Sequence, residues 1–154
     1  MPQGSTVLSF DWNLLQNSCP QFNTLQQDLK ADGGSEVCRL LAKAANAAKG
    51  GDSATCERLM GIVKQVAWEK LHTGHWKDVR VCWRDLYSVS SIATAAFSKK
   101  ADSDSSARTQ ELLRELDLAV LMGGPAYRSH VDAAIATLHV MAQRKVRSPS
   151  RSPC

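Results

Sequence analysis

Apolar residues recur at spacings of three and four along most of the chain, and strict alternation over five or more residues is hard to find. This pattern is typical of amphipathic helices and predicts an all-α fold. Short connections between helices favour antiparallel neighbours. We therefore predict a helical bundle or a short stack of antiparallel helical hairpins, with about five to seven helices. The clearest predicted helices span about 35–49, 53–73, 76–97 and 106–122, and one more follows Pro125.

Glycines, a serine and a proline mark the predicted helix ends. Gly33-Gly34, Gly50-Gly51 and Gly123-Gly124 are interpreted as caps, because glycine favours the residue that follows a helix. Ser53 can cap the helix that follows it. Pro125 suits the first turn of the last helix, since its missing N–H would have no partner there anyway.

Two segments of the chain depart from the plain amphipathic pattern. A short helix is predicted from about Leu8 to Asn17, before Pro20, whereas residues 21–30 fit either a helix or a loop.

Apolar residues surround much of the helix predicted at 76–97, which indicates a central position. No convincing repeat appears at a period of about 34 or 40 residues, although the rhythm of helix pairs is loosely like that of helical-repeat proteins.

Charge separates a neutral folded part from a basic tail. The chain has 19 Lys and Arg against 15 Asp and Glu, and four of the cations but none of the acids lie in residues 144–154. We predict one helical domain at 1–143 and a disordered basic Ser/Pro linker at 144–154, where little apolar surface offsets the entropy of ordering. A neutral domain argues against nucleic-acid binding, which needs cations clustered on one structured face.

Composition also bears on location in the cell and on the tail. Five widely spaced cysteines favour neither a disulfide framework nor zinc, and neither a secretory signal nor a membrane-spanning run is visible. We therefore expect a nuclear or cytoplasmic protein, or both, with no membrane contact.

In the basic tail, Ser148-Pro149 and Ser152-Pro153 suggest proline-directed phosphorylation. The tail would then be a nuclear-import signal or a contact for an acidic partner, and the alternative is that it is a plain spacer.

The densest group of large residues lies between Trp68 and Tyr87. Trp76 and Trp83 are seven residues apart and share one face if Trp76 begins the helix, and Trp68 can reach them across the turn at Gly74. One interpretation is a structural aromatic core of Trp68, Trp83 and Tyr87 that fixes two helices. On this interpretation Trp83 is buried.

The alternative interpretation of the same segment is a protein-interaction groove. Trp76 would lie at this groove, with Arg80, Arg84 and Asp85 at its edge. Trp and Arg are common anchors of protein interfaces. Both interpretations stay open at the level of sequence.

Residue types that carry catalytic chemistry do not form a complete site. His72 and His75 lack the further ligands that zinc requires. His130 and Asp132 match the His-x-Asp stem of non-heme iron sites, but two residues along a helix their side chains point about 200° apart. No phosphate-binding glycine loop or nucleophile elbow is present. We predict no catalytic residue, no metal ligand and no cofactor site in this chain.

Three strings resemble a known family: Trp68-Glu-Lys-Leu-His-Thr-Gly-His-Trp-Lys-Asp-Val, Trp83-Arg-Asp-Leu-Tyr87 and Leu116-Asp-Leu-Ala-Val-Leu-Met-Gly-Gly124. They resemble the N-terminal helical region of the JmjC-domain-containing arginyl hydroxylases, also called lysine-specific demethylase eight. The resemblance is strongest over about residues 56–140. It implies a helical region that precedes a JmjC barrel, which binds iron(II) and 2-oxoglutarate and hydroxylates arginine; histone demethylase and peptidase activities are also ascribed to this family.

The resemblance implies that the chain is a fragment, an expressed piece or a truncated product of a longer enzyme, because no position matches the metal or cosubstrate ligands of the JmjC barrel. We expect a non-catalytic domain that binds or positions protein partners for that oxygenase. A purely structural or dimerisation domain is the alternative, and an independent enzyme is a third, for which a concave pocket with converging ionisable groups would be needed. The sequence leaves the partner and the oligomeric state unknown.

Overall fold

A computed structural model describes residues 10–16, 18–101 and 106–147, and over these ranges it contains helices and no strand. The all-α prediction is therefore confirmed, and the number of α-helices falls within the predicted five to seven. The α-helices are α1 Pro20–Ala31, α2 Ser35–Lys49, α3 Ser53–Leu71, α4 Val81–Ala101, α5 Ser106–Met122 and α6 Arg128–Arg147. Short 3-10 helices span Trp12–Leu15 and Trp76–Asp78.

Each helix from α1 to α5 packs against the next one in the chain, and α1 packs against α4 as well. Helix α4 contacts α1, α3, α5 and α6, which confirms the predicted central helix. Its core side chains, such as Leu86, Val89 and Ala93, are fully buried. Ser90 is buried as well, and its hydroxyl donates to the Leu86 carbonyl at 2.9 Å. A serine whose hydroxyl bonds within its own helix can be enclosed on all sides without losing a hydrogen bond.

The first thirty residues differ from the prediction. The helix expected from Leu8 to Asn17 is only the 3-10 helix Trp12–Leu15, and Leu8, Ser9 and Asn17 lie outside the described residues. The undecided segment at 21–30 belongs to α1, which begins at Pro20. Proline fits this first position because the first N–H groups of a helix have no partner within it.

Helix α3 is capped by a residue other than the one expected. Asp52, not Ser53, is the N-cap, and its carboxylate accepts a hydrogen bond from the Thr55 N–H at 3.1 Å. The hydrogen bonds from Thr55 lower the pKa of the Asp52 carboxyl. Gly51 precedes it with φ of 83°, a left-handed conformation that glycine adopts without strain, as expected after a helix.

Two later helices begin further along the chain than predicted. Helix α4 begins at Val81 instead of Trp76, and α6 begins at Arg128 instead of Pro125. Pro125 instead begins a turn before α6, in which its carbonyl accepts a hydrogen bond from the Arg128 N–H at 3.3 Å. In both cases a turn stands between the predicted and the observed start.

The last helix reaches into the predicted linker. Residues 144–147 are helical in α6, so the disorder expected from Arg144 onward is wrong for these four residues. The reason is that the chain needs only to continue the hydrogen bonding of a helix already formed, which costs less than starting one. The remaining tail residues, Ser148 and Ser152 among them, lie outside the described residues.

Candidate protein-interaction surface

The loop between α3 and α4 presents Trp76 to the solvent. After α3 ends at Leu71, Gly74 takes a φ of 75° and the chain turns into the 3-10 helix Trp76–Asp78. His75 caps this short helix, because its Nδ1 accepts from the Lys77 N–H at 3.2 Å. The Trp76 side chain is 62% exposed. Tryptophan is highly buried on average in folded proteins, so this exposure is unusual for the residue type.

Arg84 and Lys77 flank the exposed indole. The Arg84 guanidinium donates to the Trp76 carbonyl at 2.9 Å, and its Cζ lies 6.0 Å from the indole centroid. The Lys77 Nζ lies 5.8 Å from the same centroid. The His75 ring stacks beside the indole at 6.2 Å with an angle of 21° between the planes. The backbone of Trp76 is therefore hydrogen-bonded to α4, and its indole lies near the side chains of the loop and of α4.

Arg80 is a further exposed cation, four residues after Trp76 in the chain. It directly precedes α4, and its carbonyl accepts from the Trp83 N–H at 3.1 Å. No acidic residue occupies the first turn of α4, where the positive end of the helix dipole lies. We call Trp76, Lys77, Arg80 and Arg84 together the Trp76 surface. It contains three of the four residues that the sequence suggested for a groove.

Asp85, the fourth residue suggested for the groove edge, faces the interior. Its side chain is 8% exposed, and its Oδ1 accepts from the Ala126 N–H at 3.2 Å. Burial raises the pKa of the Asp85 carboxyl, and the hydrogen bond from Ala126 opposes part of that rise. Asp85 follows Arg84 by one position, and adjacent helical residues point about 100° apart. Asp85 therefore joins α4 to the turn before α6 and does not edge the Trp76 surface.

Gly123 and Gly124 have a packing role that capping alone does not explain. Neither has a positive φ, unlike Gly33, Gly51 and Gly74. A Cβ on Gly124 would overlap the Asp85 carboxylate and lie 3.1 Å from the Asp85 backbone nitrogen. A Cβ on Gly123 would overlap the Ser88 hydroxyl. The glycine pair lets the end of α5 approach α4 closely.

Trp83 is buried, as the core interpretation expects. It is 1% exposed, its indole N–H donates to Asp32 Oδ2 at 2.6 Å, and Lys70 Nζ lies 5.0 Å from its ring centroid. The expected shared face of Trp76 and Trp83 is wrong, because α4 begins at Val81 and leaves Trp76 in the loop. The seven-residue spacing has meaning only within one continuous helix.

Trp68 and Tyr87 form a second aromatic contact, away from the indole of Trp76. Their ring centroids lie 5.6 Å apart, and the His72 ring lies 4.0 Å from Trp68. Tyr87 is buried, whereas Trp68 is only half-buried. His72 Nδ1 also lies 2.8 Å from the Trp68 carbonyl oxygen. These contacts connect the end of α3 to α4.

The remaining histidines and acids are dispersed. Asp132 is exposed and pairs with Arg128 at 3.1 Å, while the half-buried His130 ring lies 5.9 Å from that of Tyr127. Over the described parts of the chain, no group of three or more His, Cys, Asp or Glu side chains is placed to hold a metal ion. The residues present there do not fit an iron site, and no catalytic step is assigned to them.

Sequence reasoning missed a groove between α3 and α5 with Tyr87 of α4 at its base. It has a volume of about 340 Å³, and Lys64 and Glu115 form an ion pair of 3.3 Å between the two helices. Gly61 lines it, with no atom within 4 Å of the position that a Cβ would take. A glycine inside a predicted helix was the available signal, because glycine costs helix stability and calls for a reason.

The chain matches the family described as KDM8-like, N-terminal ARM repeats, over residues 17–152. The chain belongs to this family. It is a helical-repeat region of a kind found at the N-terminus of a JmjC-type demethylase family, and the resemblance noted in its sequence is confirmed. The sequence shows no convincing repeat at a period of about 34 or 40 residues, and only its rhythm of helix pairs indicated this architecture.

One curated relative is the lysine-specific demethylase JMJ30 of Arabidopsis thaliana. It is 29% identical over 152 residues, which cover 96% of this chain and 32% of the relative. The chain thus spans about a third of the length of that protein. No solved structure matches the chain. Within the residues described, no helix has the length and apolar character needed to cross a bilayer.

Proposed function

We propose that this chain is a non-catalytic protein-interaction domain that binds partner or substrate proteins for a JmjC oxygenase through the Trp76 surface. The observation that carries the proposal is the 62% exposure of the Trp76 side chain, on a loop whose backbone accepts a hydrogen bond from Arg84 at the Trp76 carbonyl at 2.9 Å. A large aromatic side chain on a loop that is already ordered loses little backbone entropy on binding, which suits an interface anchor. Family membership supports the proposal, because ARM-type helical solenoids commonly serve as binding surfaces.

The catalytic part of the proposal concerns residues beyond this chain. The relative is named a lysine-specific demethylase, and about two-thirds of its length has no counterpart here. We infer that an iron(II)- and 2-oxoglutarate-dependent JmjC domain, with arginyl hydroxylase as the activity implied by the resemblance, accompanies the helical region. A role in chromatin and a nuclear location, with or without a cytoplasmic pool, are inferred from the same relative. The helical region would supply binding, and the JmjC domain the chemistry.

Photo-crosslinking in cells tests the interaction role. A photoreactive amino acid replaces Lys77 in the chain, and a control carries it at Val140, which is 44% exposed on α6. We expect adducts with other proteins at Lys77 that disappear on Trp76→Ala, and none of that dependence at Val140. Adducts unaffected by Trp76→Ala would contradict the proposal. Adducts with a second copy of the chain would instead support the dimerisation alternative.

A further inference from the structure

We propose that the Trp76 surface recognises an acidic segment of a partner protein, with an apolar side chain of that segment against the indole and its carboxylates beside the cations. This inference rests on the proposed function and adds the chemistry of the partner. It combines two independent properties of the surface, its uncompensated charge and its exposed apolar area.

The cations of the Trp76 surface have no acidic partner among the described residues. The ion pairs there involve Arg39, Lys64, Arg108 and Arg128, and none includes Lys77, Arg80 or Arg84. Asp78 is the one exposed acid in the stretch from 76 to 84, and Asp85 is turned toward Ala126. The stretch from 76 to 84 thus has three cations and one acid, so its net charge is positive. Such a net positive charge attracts carboxylates.

Apolar contact is available at the same place. Trp76 and Val81 are 62% and 48% exposed, and they lie on either side of Arg80 in the chain. The 3-10 helix and the hydrogen bond from Arg84 to the Trp76 carbonyl order the loop before any partner arrives. An acidic segment with one or two apolar residues would therefore find both kinds of contact without rearranging the loop.

A single-stranded nucleic acid is the rival occupant, because bases stack on tryptophan and phosphates pair with cations. Nucleic-acid channels follow the backbone with a continuous basic groove. The Trp76 surface offers three cations, with Asp78 between two of them. A short acidic peptide, whose charge is confined to a few side chains, fits this small surface better.

The test uses two labelled peptides and an oligonucleotide. One peptide carries Asp and Glu around a Leu and a Phe, the second has the matching Asn and Gln, and the third probe is oligo-dT. Binding to the chain is measured by fluorescence anisotropy, and ¹H–¹⁵N spectra follow the Trp76 indole N–H, identified by its loss in Trp76→Leu. We expect only the acidic peptide to bind, to shift this signal, and to bind more weakly as salt increases.

Variants locate the contact on the surface. Trp76→Ala should weaken binding of the acidic peptide by about tenfold or more, as for a central anchor. Lys77→Gln and Arg80→Gln should each weaken it by up to about fivefold, as for an exposed ion pair. Arg39→Gln on α2 and Val140→Ala on α6 are the matched controls and should change nothing, because these side chains are exposed on other helices.

Three results would overturn the inference. They are equal binding of the neutral peptide, preferential binding of oligo-dT, and binding of the acidic peptide that Trp76→Ala leaves unchanged. If these occur while crosslinks at Lys77 still depend on Trp76, the surface binds proteins of another chemistry and only the acidic partner is wrong. If the crosslinks at Lys77 are also independent of Trp76, both this inference and the proposed function are wrong.

Discussion

Trp76 and Trp83 are seven residues apart, yet one lies on the surface and the other in the core. Trp83 is 1% exposed and donates to Asp32, whereas Trp76 is 62% exposed and lies beside cations. The start of α4 at Val81 separates them, so the first belongs to a loop and the second to the inward side of a helix. The comparison teaches that sequence spacing predicts a shared face only when the helix boundary is known.

The largest effect should come from the buried member of the pair. Trp83→Ala removes a fully enclosed indole and leaves a cavity, so we expect a loss of about 3–5 kcal/mol in the free energy of unfolding. Urea denaturation followed by far-UV circular dichroism measures it. A loss below about 1 kcal/mol would mean that Trp83 does not lie in the core.

A substitution that adds volume where the end of α5 packs against α4 should also lower the free energy of unfolding. Gly124→Ala places a methyl group against Asp85, and we expect a loss of about 1–3 kcal/mol from overpacking. Gly61→Ala is the matched control, because its helix position is open and alanine should stabilise α3 by about 0.5–1 kcal/mol. Equal effects of the two substitutions on urea midpoints would contradict the close approach.

Asp85 lies on the buried side of α4, and its carboxyl should make the free energy of unfolding depend on pH. Burial raises its pKa in the folded chain above the ordinary value near 3.8. The protonated carboxyl is thus favoured by folding, and its contribution to stability is present below the unfolded pKa and lost as pH rises through the folded pKa.

Asp85→Asn cannot titrate, so we expect its stability relative to the unchanged chain to improve as pH rises from about 3 to about 7. Urea midpoints of both proteins across this range measure the difference. Asp132→Asn, at an exposed acid paired with Arg128, is the control. A constant difference between the Asp85→Asn variant and the unchanged chain would show that Asp85 titrates as if exposed.

The smallest effect on stability should come from the exposed member. Trp76→Ala should alter the free energy of unfolding by less than about 0.5 kcal/mol, since the bond from Arg84 goes to the backbone carbonyl and survives. Thermal unfolding checks this directly. A large loss would indicate that the indole supports the fold, and the role of Trp76 as a binding anchor would lose its basis.

Several features could be read from sequence because they depend on local periodicity. The apolar stripes of α2, α3 and α5 predicted those helices, and the continuous apolar surface of α4 predicted its central place. The burial of Trp83 followed from the same stripe. Helices and their buried faces repeat every 3.6 residues, so a window of the chain carries enough information to locate them.

Asp85 and Gly124 show what periodicity leaves open. Both were interpreted from their neighbours in sequence, one as part of a groove and the other as a cap, and they contact one another across 39 positions of chain. The sequence by itself determined the all-α class, the position of most helices and the resemblance to the family. Tertiary packing alone decided which of Trp76, Arg84 and Asp85 face solvent, because orientation depends on where α4 begins and on how closely α5 approaches it.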